Sequence, residues 1–135
     1  MDIKRQIKFR AWDKRRNEMV YSNKEDVFYI NTKGAMFMYA VPKSESGLKT
    51  EYVIDYDIMQ FTGLKDSKGK DIYEGDILSY LFEDGYLCIG FVYWDTITSS
   101  FMVNEGGEPD PTWYEYLDNI TVSGNIHESH ELLEK

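Results

Sequence analysis

One cysteine, three prolines and two histidines are all that this 135-residue chain has of three chemically decisive residue types. The single Cys88 excludes an intramolecular disulfide and any cysteine-rich zinc site. It lies inside the apolar run Tyr86 to Trp94, where the expected role is that of a small buried apolar residue. His127 and His130 stand beside Glu128 and Glu131 with no third ligand at defined spacing. No metal site is expected there, and both histidines read as part of a solvated C-terminus. No apolar run approaches the roughly 18 residues of a membrane span. The opening Met1-Asp-Ile-Lys-Arg is charged and lacks a following apolar stretch, so neither a secretory signal nor a membrane partner is expected, and the expected compartment is the cytoplasm. There is no Gly-x-Ser-x-Gly elbow. Glu105-Gly-Gly-Glu108 lacks the lysine and the strand-to-helix setting of a phosphate loop.

What the chain has in excess is negative charge and aromatic surface. The net charge is −9, and it is unevenly spread. Residues 1 to 16 carry seven basic side chains against two acidic ones, a net of +5. The remainder carries eight against twenty-two, a net of −14. An acidic body repels nucleic acid, so nucleic acid is not the expected partner, and only the first hairpin offers a local basic patch. The carboxylates at Asp55, Asp57, Asp71, Glu74, Asp76, Glu83 and Asp84 read as a solvated surface, since nothing in their spacing sets two of them face to face in a cleft. Eleven tyrosines and three tryptophans exceed the needs of one core of this size. Two readings of them weigh equally, a binding surface and a second internal core.

Periodicity gives strands. Ile7, Phe9 and Ala11 share one face and Lys8, Arg10 and Trp12 the other, which is expected to be wet. Asp13 to Asn17 is a turn and Glu18 to Tyr21 the return, making a hairpin over 6–21. Val27 to Ile30, Ala35 to Val41 and Tyr52 to Ile54 are β-rich runs, with turn chemistry at 31–34 and 42–47; a short helix over 35–41 is the alternative. Residues 22–58 are the least legible part. Met59 to Leu64 and Ile72 to Leu78 flank the turn Lys65 to Lys70, in which Asp66 and Ser67 can bond the backbone ahead and Gly69 supplies a positive φ. Gly75 is a second such position, and the Asp76 carboxylate can tie the first turn of the next strand. Asp76 to Phe82 and Tyr86 to Trp94 form a hairpin around Glu83-Asp-Gly85, and Gly90 marks a bulge or a close backbone approach. Asp110 and Pro111 can start a short helix carrying Trp113 and Leu117 on one face. Ile120, Val122, Gly124 and Ile126 alternate in a half-buried last strand, and Ser129 to Leu133 can close as one helical turn.

The run Met59-Gln-Phe-Thr-Gly-Leu-Lys-Asp66 with Gly69-Lys-Asp-Ile-Tyr-Glu-Gly-Asp-Ile77 resembles the signature of the YopX family of phage and prophage proteins. Ile7-Lys-Phe-Arg-Ala-Trp-Asp13, Gly90-Phe-Val-Tyr-Trp-Asp95 and Val122-Ser-Gly-Asn-Ile-His-Glu128 are similar to the same family and follow its order along the chain. The chain departs from the pattern at His127 and at Ser129-His130, where the family usually has an aromatic and Asn-Pro. The resemblance implies a phage or prophage protein in a bacterial host and supplies no mechanism.

The expected fold is all-β with one or two short helices, a small SH3-like barrel plus an N-terminal β-hairpin region. One domain is expected over 1–135, with a hairpin and variable β region at 1–62, a barrel-like region at 63–128 and a tail at 129–135. The expected function is that of a non-enzymatic protein-interaction module, with no catalytic residue, metal or cofactor. Its partner is an unknown host or phage protein, with self-association through strand edges or aromatic surface as a further possibility. The candidate interaction surface is Arg10, Trp12, Arg15, Arg16, Tyr73, Glu74 and Asp76. The alternative is a nucleic-acid-associated protein using Lys8, Arg10, Trp12, Lys14, Arg15 and Arg16.

Overall fold

The computed structural model describes residues 4, 6–21, 27–30, 36–40, 49–53, 56–107 and 109–134. The chain divides into two compact units, one of Phe9–Met59 and one of Met1–Lys8 with Gln60–Lys135. Both are built from antiparallel strands. The expected turns at 31–34 and 42–47 lie outside the described residues.

The first unit opens with the expected hairpin. Strands β1 (Phe9–Asp13) and β2 (Glu18–Tyr21) pair with Arg10 opposite Tyr21 and Asp13 opposite Glu18. Asn17 closes the turn at φ 54°, its N–H donating to the Asp13 carbonyl at 2.8 Å. A short polar side chain tolerates that left-handed backbone at low strain. Strands β3 (Val27–Ile30), β4 (Met36–Ala40) and β5 (Lys49–Val53) form a three-stranded meander in that order. The alternative of a helix over 35–41 does not hold, because β4 pairs with β5 from Met36 to Ala40 and with β3 from Met36 to Tyr39. Helix propensity is a weak prior that ladder bonding overrides.

Strand β6 (Tyr56–Lys65) begins in the first unit and ends in the second, where it pairs with β7 (Asp71–Tyr73). Strands β8 (Asp76–Leu81), β9 (Leu87–Asp95), β10 (Ser100–Asn104) and β11 (Ile120–Asn125) make a sheet in the order β10-β9-β8-β11. The sheet curves into a half-barrel, and the two helical pieces among the described residues are short 3-10 turns, Trp113–Asn119 and His130–Leu133. Its core is Ile72, Leu78, Tyr80, Val92, Val103, Trp113 and Ile120. Each of the aliphatic side chains there stabilises the fold by about 1.5–3 kcal/mol through burial.

Sheet closeness sets two details. A Cβ on Gly90 would lie 2.7 Å from Val103 Cγ1 and 2.9 Å from the Asn104 carbonyl, so this glycine serves a close approach. No bulge occurs there, for the β8–β9 register is regular from Ile77 to Leu81; the irregularity falls instead between Val122 and Gly124 on β11. The first 3-10 helix starts at Trp113, later than Asp110 and Pro111 imply, because the Asp110 carboxylate bonds Thr112 and the Asp110 backbone pairs with Val103 on β10.

Several outward backbone groups of the sheet's two edges are occupied. At β10 the N–H and carbonyl of Val103 bond Asp110, and the Phe101 carbonyl accepts Trp113 Nε1 at 2.9 Å. At β11 the Ile120 carbonyl accepts the Ser67 N–H at 2.9 Å, and the Val122 N–H donates to Asp66 Oδ2 at 3.0 Å. Edges protected in this way do not offer these groups to another strand.

Candidate functional site

The hairpin joining β8 to β9 is short because Gly85, at φ 86°, lets its own N–H reach the Phe82 carbonyl while the Phe82 N–H bonds Tyr86. Alternation then sorts the side chains around it onto two faces. On one face Phe82 stacks on Tyr86 with centroids 6.2 Å apart and meets Tyr116 edge-on at 5.5 Å. The other face has Leu81 and Leu87 directly opposite each other across the two strands. They are 57% and 53% exposed, a large apolar area to leave in water.

The C-terminal 3-10 turn packs against β9 beside them. Between that turn and the strand lies a cleft of about 490 Å³, lined by apolar Leu87, Ile89, Phe91, Leu132 and Leu133 and by the polar groups of Tyr86, Cys88, Asn104, Glu105 and Glu134. Tyr86 and Leu132 are 62% and 38% exposed. No lysine or arginine among the described residues lines it. Burial, reinforced by the Glu105 carboxylate hydrogen-bonded beside it, pushes the Cys88 thiol pKa up. On Tyr80, the cross-strand partner of Cys88, the buried hydroxyl has no hydrogen-bond partner among the described residues, and burial drives its pKa far above the usual range.

The residues singled out from sequence are dispersed by the fold. Arg10 and Trp12 were expected on a wet face, but every residue of β1 after Phe9 is buried, so both of the strand's faces are covered and alternation carries no wet side. Ile7, expected inward, is exposed. Tyr73 and Asp76 are likewise buried rather than at the surface. Asp76 is used internally, accepting the Tyr73 N–H at 2.8 Å, and the half-buried Glu74 accepts the Gln60 N–H at 2.8 Å. These two carboxylates hold the Tyr73–Asp76 turn and its tie to β6. Tyr80 belongs to the core.

Arg15 and Arg16 are exposed as expected, on the turn after β1. Their guanidinium groups approach the buried Asp13 carboxylate at 4.0 and 3.9 Å, Arg16 also meets Glu18 at 3.8 Å, and Lys14 meets Asp57 at 3.2 Å. All three turn cations thus face carboxylates. Asp13 itself accepts the Arg15 and Arg16 N–H groups and the Tyr56 hydroxyl; burial raises its pKa, and these donors outweigh that and leave it lowered.

Sequence reasoning missed Leu81, Leu87, Leu132 and Glu105. A signal was present: Leu81-Phe82 and Tyr86-Leu87 put adjacent apolar residues on either side of a hairpin turn, where one of each pair must face outward. At the C-terminus, His130 is exposed with Nδ1 3.7 Å from Glu134, and the Asn125 carboxamide accepts the N–H groups of His127 and Glu128. No group of three or more His, Cys, Asp or Glu suited to a metal ion occurs among the described residues. No helix among them is long and apolar enough to cross a membrane.

Comparison with known proteins places this geometry in a family. The fold is similar to that of protein EF1440 from Enterococcus faecalis, at 28% identity and TM-score 0.63, over 96% of this chain and 99% of that one. It is also similar to protein yopX from Bacillus subtilis, at 22% identity and TM-score 0.68, over 93% of this chain and 97% of that one. No curated protein matches the chain. The family described as YopX protein matches over residues 8–134, nearly the full length, and the chain belongs to that family.

Proposed function

We propose that this YopX-family protein is a non-enzymatic protein-interaction module, encoded by phage or prophage and working in the bacterial cytoplasm. One observation carries the reading: Leu81 and Leu87, opposite each other at the tip of one hairpin, and Leu132, beside Leu87 in the cleft, leave large apolar side chains in water on an otherwise acidic chain. An apolar patch of that kind, rimmed by polar groups, is characteristic of contact surfaces. The phage or prophage setting rests on the family signature, and the reducing compartment accords with a lone thiol held protonated.

The titratable groups support a binding role over catalysis. The Cys88 thiol is shifted up and the Tyr80 hydroxyl further up, whereas Asp13, Asp66 and Asp71 are shifted down. A general acid or base works best with a pKa near ambient pH, and these shifts run away from it. The carboxylates on the N-terminal turn weigh against the nucleic-acid alternative, because cations already facing Asp13, Glu18 and Asp57 offer little net field to phosphate. Capture from bacterial lysate, run beside light scattering of the pure protein, tests the proposal. A specific protein retained at high salt supports it. Retention of nothing, or of nucleic acid alone at low salt, overturns it.

A further inference from the structure

The geometry points to the occupant of the β9 cleft: an extended segment of a partner protein that alternates basic and apolar side chains. This rests on the interaction reading above and adds the site and the chemistry of the partner. Three features converge. The cleft, at about 490 Å³, lies within the range of ligand-binding pockets, and Ile89 and Phe91 contribute apolar lining. The apolar strip does not stop at the rim. It passes over Leu87 to Leu81, its cross-strand partner, so the surface suits a chain segment longer than a compact small molecule. Among the described residues the charged groups in the lining are Glu105 and Glu134, both carboxylates, so they repel an anionic segment and attract a cationic one.

Tyr86 supplies a fixed anchor. Its ring is held by stacking on Phe82, which itself meets Tyr116, while most of its surface remains in water. An immobilised tyrosine loses little rotamer freedom on binding, and its face can take a guanidinium. Strand addition at the Val103 and Phe101 positions of β10 or the Ile120 and Val122 positions of β11 would require breaking the bonds that Asp110, Trp113, Ser67 and Asp66 already make there. Side-chain insertion into the β9 cleft requires no such exchange. In this cleft the segment sets lysine or arginine toward Glu105 and Glu134 and leucine-like residues toward Leu87 and Leu132.

The test is a titration of the whole protein with a short fluorescent peptide alternating Lys and Leu, beside a control in which every Lys is Glu. The expected result is saturable binding of the basic peptide, weakened by salt, with none by the acidic one. Leu87→Asp should lower the affinity at least about tenfold. The pair Glu105→Gln with Glu134→Gln should lower it about three- to tenfold and flatten the salt dependence. If Leu87→Asp disturbs folding by circular dichroism, Leu132→Ser replaces it with the same expectation. Equal binding of the acidic peptide, or unchanged affinity in both the apolar and the charge variants, overturns the proposal. So does a dimer in light scattering that Leu87→Asp dissolves, because the occupant is then a second copy. A host protein captured equally by wild type and Leu87→Asp leaves the interaction module standing and removes the cleft as its site.

Discussion

The carboxylate of Asp66 accepts the backbone N–H of Val122 at 3.0 Å, joining the turn after β6 to the outer edge of β11. The other carboxylate oxygen accepts the N–H groups of Lys68 and Lys70, each at 2.9 Å, so one side chain both shapes its own turn and covers a strand edge. Asp66→Ala strands three donors at a largely buried place. The variant should lose about 2–4 kcal/mol, measured as a lower midpoint in urea unfolding. A loss below about 0.5 kcal/mol would show that water replaces the carboxylate and that the edge is not held by it.

Three acidic groups bring the same linkage with pH. Burial raises each pKa, and the donors around it outweigh burial: the amides of Val122, Lys70 and Lys68 at Asp66, those of Arg16 and Arg15 with the Tyr56 hydroxyl at Asp13, and Lys8 with Lys65 at Asp71. The folded-state values therefore lie below the ordinary 3.8. Between folded and unfolded pKa the unfolded chain binds more protons, so stability rises with pH. Their contribution is fully present above about pH 5 and is lost as pH falls through about 4 and below. Asp66→Asn should flatten that acid limb in thermal unfolding between about pH 3 and pH 6. A limb of unchanged steepness would assign the acid sensitivity to other carboxylates.

Gly90 is expected to resist the smallest enlargement. The alanine Cβ would enter space already held by Val103 Cγ1 and the Asn104 carbonyl, and overpacking of this kind costs about 1–3 kcal/mol. Val103→Ala removes the side-chain half of the clash. The double variant Gly90→Ala with Val103→Ala should therefore be more stable than the sum of the two single losses predicts, by denaturant unfolding. Strict additivity would mean that the backbone carbonyl alone sets the approach.

The hydroxyl of Tyr80 is the reverse case. It is buried in the core with no partner among the described residues, so Tyr80→Phe removes an unsatisfied polar atom and keeps the ring. The melting temperature should be unchanged or raised, by up to about 1 kcal/mol of stability. A clear loss would show that the hydroxyl is solvated and serves the structure.

Local chemistry was legible wherever a side chain acts on its own neighbourhood. The turn at Asp66–Gly69, the tie made by Asp76 and the hairpin at Gly85 each depend on contacts within a few residues, and each is where the sequence puts it. What covers a face depends on partners far along the chain, and that is where alternation misleads. Arg10 and Trp12 occupy the nominally wet face of β1 and are buried, while Tyr80 lies in the core despite its polar end. The cleft shares this origin. Leu132 belongs to a segment that reads as a solvated tail, and only its packing on β9 makes it one wall of a site with Leu87.

The central claim is that the protein works by holding another protein in the β9 cleft. Its most direct test is parallel capture from bacterial lysate on immobilised wild type and Leu87→Asp, washed at high salt and read by mass spectrometry. The account predicts a protein with a basic, apolar segment retained by wild type and depleted at least about tenfold on Leu87→Asp. Equal recovery on both surfaces, or recovery of nucleic acid alone, would contradict it.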